Sequence, residues 1–408
     1  MVYYKKDSVA IRQFIDQNAA KIQIPPFSFT PKSRTFIDKI KKKIDVAVRA
    51  SAKPFFTLIS PGEFGSDFEK STNYSYICKE VRTAFAPINK YKKTIEIRIG
   101  PRTFKIRFVL PATSSNMRMY SDACDIFARR IYIWLYIASS FARTECSKEI
   151  DIFLYLSEER KSLPTISGET IDRIHVNTAF TTPCAPKTEI NIYRSEEWFK
   201  VLIHESFHCF GFDFSEHSSI NAQVAAEILK KFPIASEILI YETYSEIWAE
   251  IMNVIITVSI ETHGTHLSFV SMVESMLNKE LFFSLFQCAK ILDHFGMKYE
   301  DLYTKEKGMG GKRYSEKTSV FSYYFLKTIL LFHCNWFLEW SIENNGDTIE
   351  FKNPETNVRK FTNALILSKY NDPMFVECLS QMNTRFFKRK ARNTMIYNTL
   401  RMTANEIV

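Results

Sequence analysis

The hydrophobic pattern of this chain changes period partway along, and that change constrains the fold more than any other feature of the sequence. Thr94–Ile99 and Thr103–Val109 alternate polar and apolar residues on either side of Gly100-Pro101, which predicts a β-hairpin. Asp122–Arg143, rich in Ile, Tyr, Trp and Ala, predicts a helix, and Glu149–Tyr155 a third strand. His175–Phe180 and Glu189–Tyr193 predict two short strands split by a Pro-containing loop. Beyond these, apolar residues recur at helical spacing near 220–231, 236–260, 267–295, 317–340 and 359–384. Strands first and helices afterwards predict an α+β protein: a small twisted sheet lobe, then a mostly helical lobe, with a cleft between them. The expected segments are a basic, mostly helical region over 1–90, a sheet lobe over 91–212, a helical lobe over 213–384 and a basic tail over 385–408. With 408 residues, 46% of them hydrophobic, the chain can bury a large core.

The most specific chemical signal is His204-Glu205-Ser206-Phe207-His208. Two imidazoles four residues apart lie on one face of a helix and can grip one zinc ion, with Glu205 beside them as a general base. The surroundings favour a helix. Ser195 is the expected N-cap, Glu196 and Glu197 follow as first-turn acids, and Trp198, Val201, Leu202, Phe207 and Phe210 form an apolar stripe before Gly211 offers a stop.

A catalytic zinc site needs a third protein ligand and an open position. Glu242, Glu246 and Glu250 form an acidic ladder spaced by four among Ile247, Trp248, Ile251 and Val254, so the carboxylates belong to a largely buried helix. Glu246 is the favoured rung, because Ala249 would let a neighbouring helix approach and Glu250 would orient a ligand histidine. Glu242, with Ser245 as its small residue and Glu246 as its acid, is the alternative. Asp213 and His217 are weaker alternatives, since Phe214 occupies the position three residues after Gly211 where a longer histidine motif would place a ligand. His263 and His266 have no supporting spacing.

His204 to His208 with a distal Glu-x-x-Ala-Glu at Glu246–Glu250 resembles the zincin metallopeptidases, and among them the gluzincins, whose third ligand is glutamate. The resemblance covers residues 91 to 260. It implies one zinc ion per chain held by His204, His208 and Glu246, with Glu205 as base in the hydrolysis of peptide bonds. It also implies an edge strand, Val176–Thr181 here, that pairs with extended substrate. A second donor to the developing oxyanion is expected from Tyr244, Tyr323, Tyr324 or His333. Ser245 stands where many of these enzymes have asparagine.

Charge is unevenly placed in a chain of net charge +9: residues 195–262 hold eleven acidic residues against three basic ones. That suits a cation-binding segment and a basic peptide or protein substrate. Residues 1–50 and the run Arg385–Arg392 are strongly basic; they read as solvated faces, or as surfaces for nucleic acid, an anionic membrane or an acidic partner. The eight cysteines show no CxxC pair, Cys209 reads as packing and Cys184 as a plain loop residue. No signal peptide or membrane span is evident, so a soluble, reducing, intracellular setting is expected. Few glycines with abundant Phe, Ile, Lys and Asn fit an AT-rich genome such as that of a large DNA virus; for a viral protein the virus particle joins the intracellular setting as an alternative. Gly308–Lys312 lacks the spacing of a phosphate loop and reads as a mobile loop near the cleft. Two readings from other classes stand beside the peptidase: an inactive zincin-fold scaffold, and a basic nucleic-acid-binding protein whose histidines are structural.

Overall fold

Alternation over residues 91–110 produces the hairpin at the centre of a six-stranded mixed sheet. The structure, a computed structural model, describes residues 4–64, 70–111, 117–263, 268–304, 313–387 and 394–407. The protein is α+β, and it divides into two compact units at borders other than the four expected segments. One unit comprises residues 38–160 and 177–213; the other comprises 1–37, 161–176 and 214–408.

The first unit holds the sheet. Its strands are β1 (Thr57–Phe64), β2 (Tyr91–Ile99), β3 (Arg102–Leu110), β4 (Glu149–Ser157), β5 (Ala179–Thr181) and β6 (Lys187–Arg194), in the order β1-β2-β3-β4-β6-β5. β1, β2 and β3 are antiparallel, β3, β4 and β6 are parallel, and β5 closes the edge antiparallel to β6. The parallel trio explains the apolar run Ile152–Leu156 of β4, since a strand covered on both faces needs no polar side, whereas β6 keeps Glu189 and Asn191 among its apolar residues. The helix α1 (Lys6–Asn18) belongs to the other unit, whereas α2 (Pro31–Ala50) enters the sheet unit at Asp38. Of its expected basic face, Lys41 pairs with Asp45 and Lys43 donates to Ser140 over the Phe141 ring.

Two further helices cover the sheet: α3 (Lys79–Phe85) packs on β4, and α4 (Met117–Ser139) packs on β2 and β3. On the α3 side Val81, Phe85, Val109, Phe153, Tyr155 and Tyr193 form one buried cluster. Each fully buried apolar side chain of this kind contributes about 1.5–3 kcal/mol. The expected strand over 175–180 is in part a helical turn, α5 (Arg173–Val176), and only Ala179–Thr181 is extended. A local bond accounts for the turn: the Asp172 amide donates to His175 Nδ1, and the His175 amide donates back to the Asp172 carbonyl. The edge strand thus exists, three residues long.

The second unit is helical, as the 3.6-residue period requires. It contains α1 and α5, and after α6 (Trp198–Cys209) of the sheet unit come α7 (Ser218–Lys231), α8 (Ile240–Thr262), α9 (Phe269–His294), α10 (Lys327–Phe332), α11 (Cys334–Asn345), α12 (Pro354–Phe361), α13 (Pro373–Phe386) and α14 (Met395–Asn398). Two π-helical stretches, Phe321–Leu326 and Thr362–Leu367, interrupt segments expected to be continuous α-helix. The expected basic tail is the largest departure. Leu400–Ile407 is buried throughout, because Glu280 of α9 accepts hydrogen bonds from the amides of Ala404 and Asn405 and from the Thr403 hydroxyl. Arg401 lies 3.1 Å from Glu406, which also pairs with Lys5. Of the basic run, Lys388–Arg392 lies outside the described residues, as do Gly308–Lys312 and His266. No helix among the described residues is long and apolar enough to cross a membrane.

Candidate metal centre

The helix α6 is apolar on nearly every side and is buried accordingly: of its twelve residues only His208 reaches appreciable solvent. It packs on β6, β5 and α4, where the Trp134 indole donates to Ser206 Oγ at 2.9 Å and its ring stacks on Phe207. The expected N-cap Ser195 does not cap it. The Ser195 amide still donates to the Ser157 carbonyl, extending the β6 pairing, and Glu197 at φ 60° turns the chain into the helix instead.

Gly211 does end the helix as expected. At φ +69° it occupies the left-handed position that glycine adopts at least cost; its amide donates to the His208 carbonyl, and the Phe212 amide donates to the Phe207 carbonyl. This is a Schellman ending, completed by the Phe207 and Phe212 rings 5.3 Å apart. The reversal carries Asp213 back over the last turn, where its buried carboxylate accepts a hydrogen bond from His208 Nδ1.

That bond determines what His208 presents. With Nδ1 protonated toward Asp213, the lone pair is on Nε2, the atom that faces His204. The two Nε2 atoms stand 3.3 Å apart with the rings at 77°. Two nitrogens each about 2.0–2.1 Å from one tetrahedral zinc ion would be separated by about 3.3–3.4 Å. The donor set therefore fits such a cation. Glu205, on the same helix, is likewise buried.

One imidazole nitrogen from each of His204 and His208 and a carboxylate oxygen of Glu242 lie within 4.8 Å of one another, a group that can hold a metal ion. Glu242, in the first turn of α8, rather than the favoured Glu246, is the carboxylate in this group. Of the ladder's other rungs, Glu246 is buried, and Glu250 lies 3.5 Å from the buried Lys327 ammonium, which also donates to Ser284. Glu250 is thus placed to neutralise a buried lysine, and the carboxylate that orients a histidine is Asp213. An acid two residues beyond a helix-ending glycine is the sequence signal that would have found it.

The remaining candidates fall elsewhere. His217 pairs with Glu355 at 3.0 Å, and His263 is exposed. The Tyr244 hydroxyl donates to the Ile349 carbonyl and the Tyr324 hydroxyl to that of Leu400, so both are occupied in the core. His333 faces Asp372 at 4.0 Å, and burial holds its pKa below the usual imidazole value. Tyr323 alone of the three tyrosines is half-buried; its neighbour Ser322 accepts through its carbonyl from Thr243, the residue after Glu242.

Cys184 is not a plain loop residue: it is joined to Cys146 in a disulfide. Cys209 is fully buried, and burial pushes its thiol up to about 12, in keeping with a packing role. A surface depression of about 840 Å³ in the helical unit, lined by Trp340, Glu355, Arg359 and Lys360, contains none of the metal-group residues. Comparison with protein-family models, with curated proteins and with solved structures gives no match to this chain.

Proposed function

We propose that the protein is a zinc-dependent metallopeptidase of the zincin type, with His204, His208 and Glu242 as ligands and Glu205 as general base. The observation that carries the reading is the pair of Nε2 atoms 3.3 Å apart, one of them on a ring whose other nitrogen is held by Asp213. Two imidazoles and one carboxylate form the donor set that a catalytic zinc ion takes. Bound there, zinc would supply Lewis acidity, activating water and polarising a peptide carbonyl. Glu205 takes the proton from the attacking water and delivers it to the leaving amine nitrogen, so one carboxylate serves both half-reactions. Asp213 keeps His208 in the tautomer that leaves Nε2 free to bind. β5, the sheet edge packed against α6, offers backbone amides and carbonyls to an extended peptide. Tyr323 is the remaining candidate for a hydroxyl that stabilises the oxyanion.

The test is metal content together with peptide hydrolysis, compared across three proteins. Wild type is expected to carry one zinc per chain and to cleave peptides. His204→Ala loses the metal. Glu205→Gln keeps it while kcat falls by about 10³-fold. Wild type without zinc sinks the metal reading and leaves structural histidines, whereas zinc retained without cleavage of any peptide leaves an inactive scaffold.

A further inference from the structure

The disulfide lies against the end of the metal-binding helix. A Cβ at Gly211 would stand 3.0 Å from Cys146 Sγ and 3.5 Å from Cys184 Cβ, so the bridge and the helix-ending turn fill one tight space. Ser147, next to Cys146 and held at φ 51°, donates through its hydroxyl to the Cys209 carbonyl at 2.6 Å and pairs with Thr188 at 2.8 Å. Its amide donates to the carbonyl of Ala185, the neighbour of Cys184, at 2.6 Å. The Cys146 flank of the bridge is thereby tied directly to the last turn of α6, the turn that carries His208 and leads through Gly211 to Asp213, and the Cys184 flank is tied to it through Ser147.

We propose that the Cys146–Cys184 bridge is a redox latch on the metal site: closed, it fixes the turn that holds Asp213 on His208, and opened by a thiol reductant it releases that turn and weakens metal binding. The inference rests on the metal reading above and adds its regulation. Cys146 is fully buried and Cys184 half-buried, which directs attack to the Cys184 sulfur. A thiolate of a dithiol reductant forms a mixed disulfide with Cys184, and Cys146 leaves as a thiolate that takes up a proton. The reductant's second thiol then displaces Cys184 as its thiol. Two electrons pass to the chain and the reductant leaves as a disulfide. The bridge closes a loop across 38 residues that contains β4 and β5 but neither His204 nor His208. Opening it therefore acts on the turn and leaves the ligands' own helix unbroken.

The experiment uses the full chain, oxidised or reduced with a dithiol and desalted under argon, with alkylation and mass spectrometry counting thiols at Cys146 and Cys184. Hydrogen exchange of metal-free protein is followed over residues 199–213, and zinc affinity is measured separately by chelator competition. Reduction is expected to speed exchange at residues 209–213 by about tenfold and to raise the zinc Kd by about tenfold. A double variant, Cys146→Ser with Cys184→Ser, should match the reduced protein and ignore the reductant. If that variant does not fold, the reduced wild type carries the test. Free thiols at both positions before reduction, or unchanged exchange once both are reduced, overturns the latch. Exchange that responds to reduction in a protein with no zinc affinity in either state overturns the metal reading and leaves the latch on the helix supported.

Discussion

The end of α6 and the segment 399–407 are both buried and both rich in polar groups, yet they are held in opposite ways. At α6 the turn itself is closed by partners close in sequence, Gly211 to His208, Phe212 to Phe207 and Asp213 to His208, with Ser147 bonding the Cys209 carbonyl from farther along the chain. In the C-terminal segment they are remote. Glu280 reaches Thr403, Ala404 and Asn405, Lys290 donates to the Thr399 carbonyl at 2.6 Å, and Asn253 donates to that of Asn405 at 3.2 Å. A buried backbone that belongs to no sheet or helix must find side-chain partners, because an unmet amide or carbonyl costs about 1–3 kcal/mol. Short-range partners make a helix-ending turn that forms with its own helix, whereas long-range partners make a stability that exists only when several helices are already in place.

Removing the centre of the long-range network should have the largest effect. Glu280→Ala removes the acceptor of two backbone amides, the Asn405 side-chain amide and a hydroxyl and is expected to cost about 3–5 kcal/mol, read as a lowered urea midpoint; a loss below about 1 kcal/mol would show the tail to be peripheral. Next comes Glu316, a buried carboxyl in the same unit that accepts from the Phe321 amide at 2.9 Å and contacts the hydroxyls of Tyr314 and Ser236. Burial raises its pKa to about 8. The folded state therefore binds this proton more tightly than the unfolded chain, and the stability it confers is full below the ordinary carboxyl pKa and lost as pH rises through about 8. Wild type should lose about 2 kcal/mol between pH 6 and 8, and Glu316→Gln should flatten that slope in pH-dependent thermal melts.

The local network predicts smaller losses. Asp213→Ala should weaken zinc binding by about tenfold with little change in unfolding midpoint; a large stability loss with unchanged metal affinity would make Asp213 structural. Gly211→Ala, forced to φ +69° with its Cβ 3.0 Å from Cys146 Sγ, should cost about 1–2 kcal/mol in urea titration.

The same division separates what could be read in the sequence from what could not. The hairpin, the long helices, the His204–His208 face and the Gly211 stop are local matters of period and turn chemistry, and all are present. β1 escaped notice because Pro61 and Gly62 interrupt it and it is largely exposed, so it carries no alternation. The choice between Glu242 and Glu246 was not legible, since rungs four apart share one helix face and only tertiary placement distinguishes them. The Cys146–Cys184 pairing had no spacing signal, and the burial of a segment containing Arg401 ran against its composition.

The amide of Lys5 donates to the carbonyl of Glu406 at 2.9 Å, and Tyr4 bridges to Ile407, so residues 4–5 and 406–407 are joined in one unit. During synthesis α8 and its acidic ladder would emerge from the ribosome well before residues 399–407, and would wait with an unfinished interior until those residues arrived. Arrival of residues 399–407, not of the histidine motif, would then set when a nascent chain acquires its settled helical half.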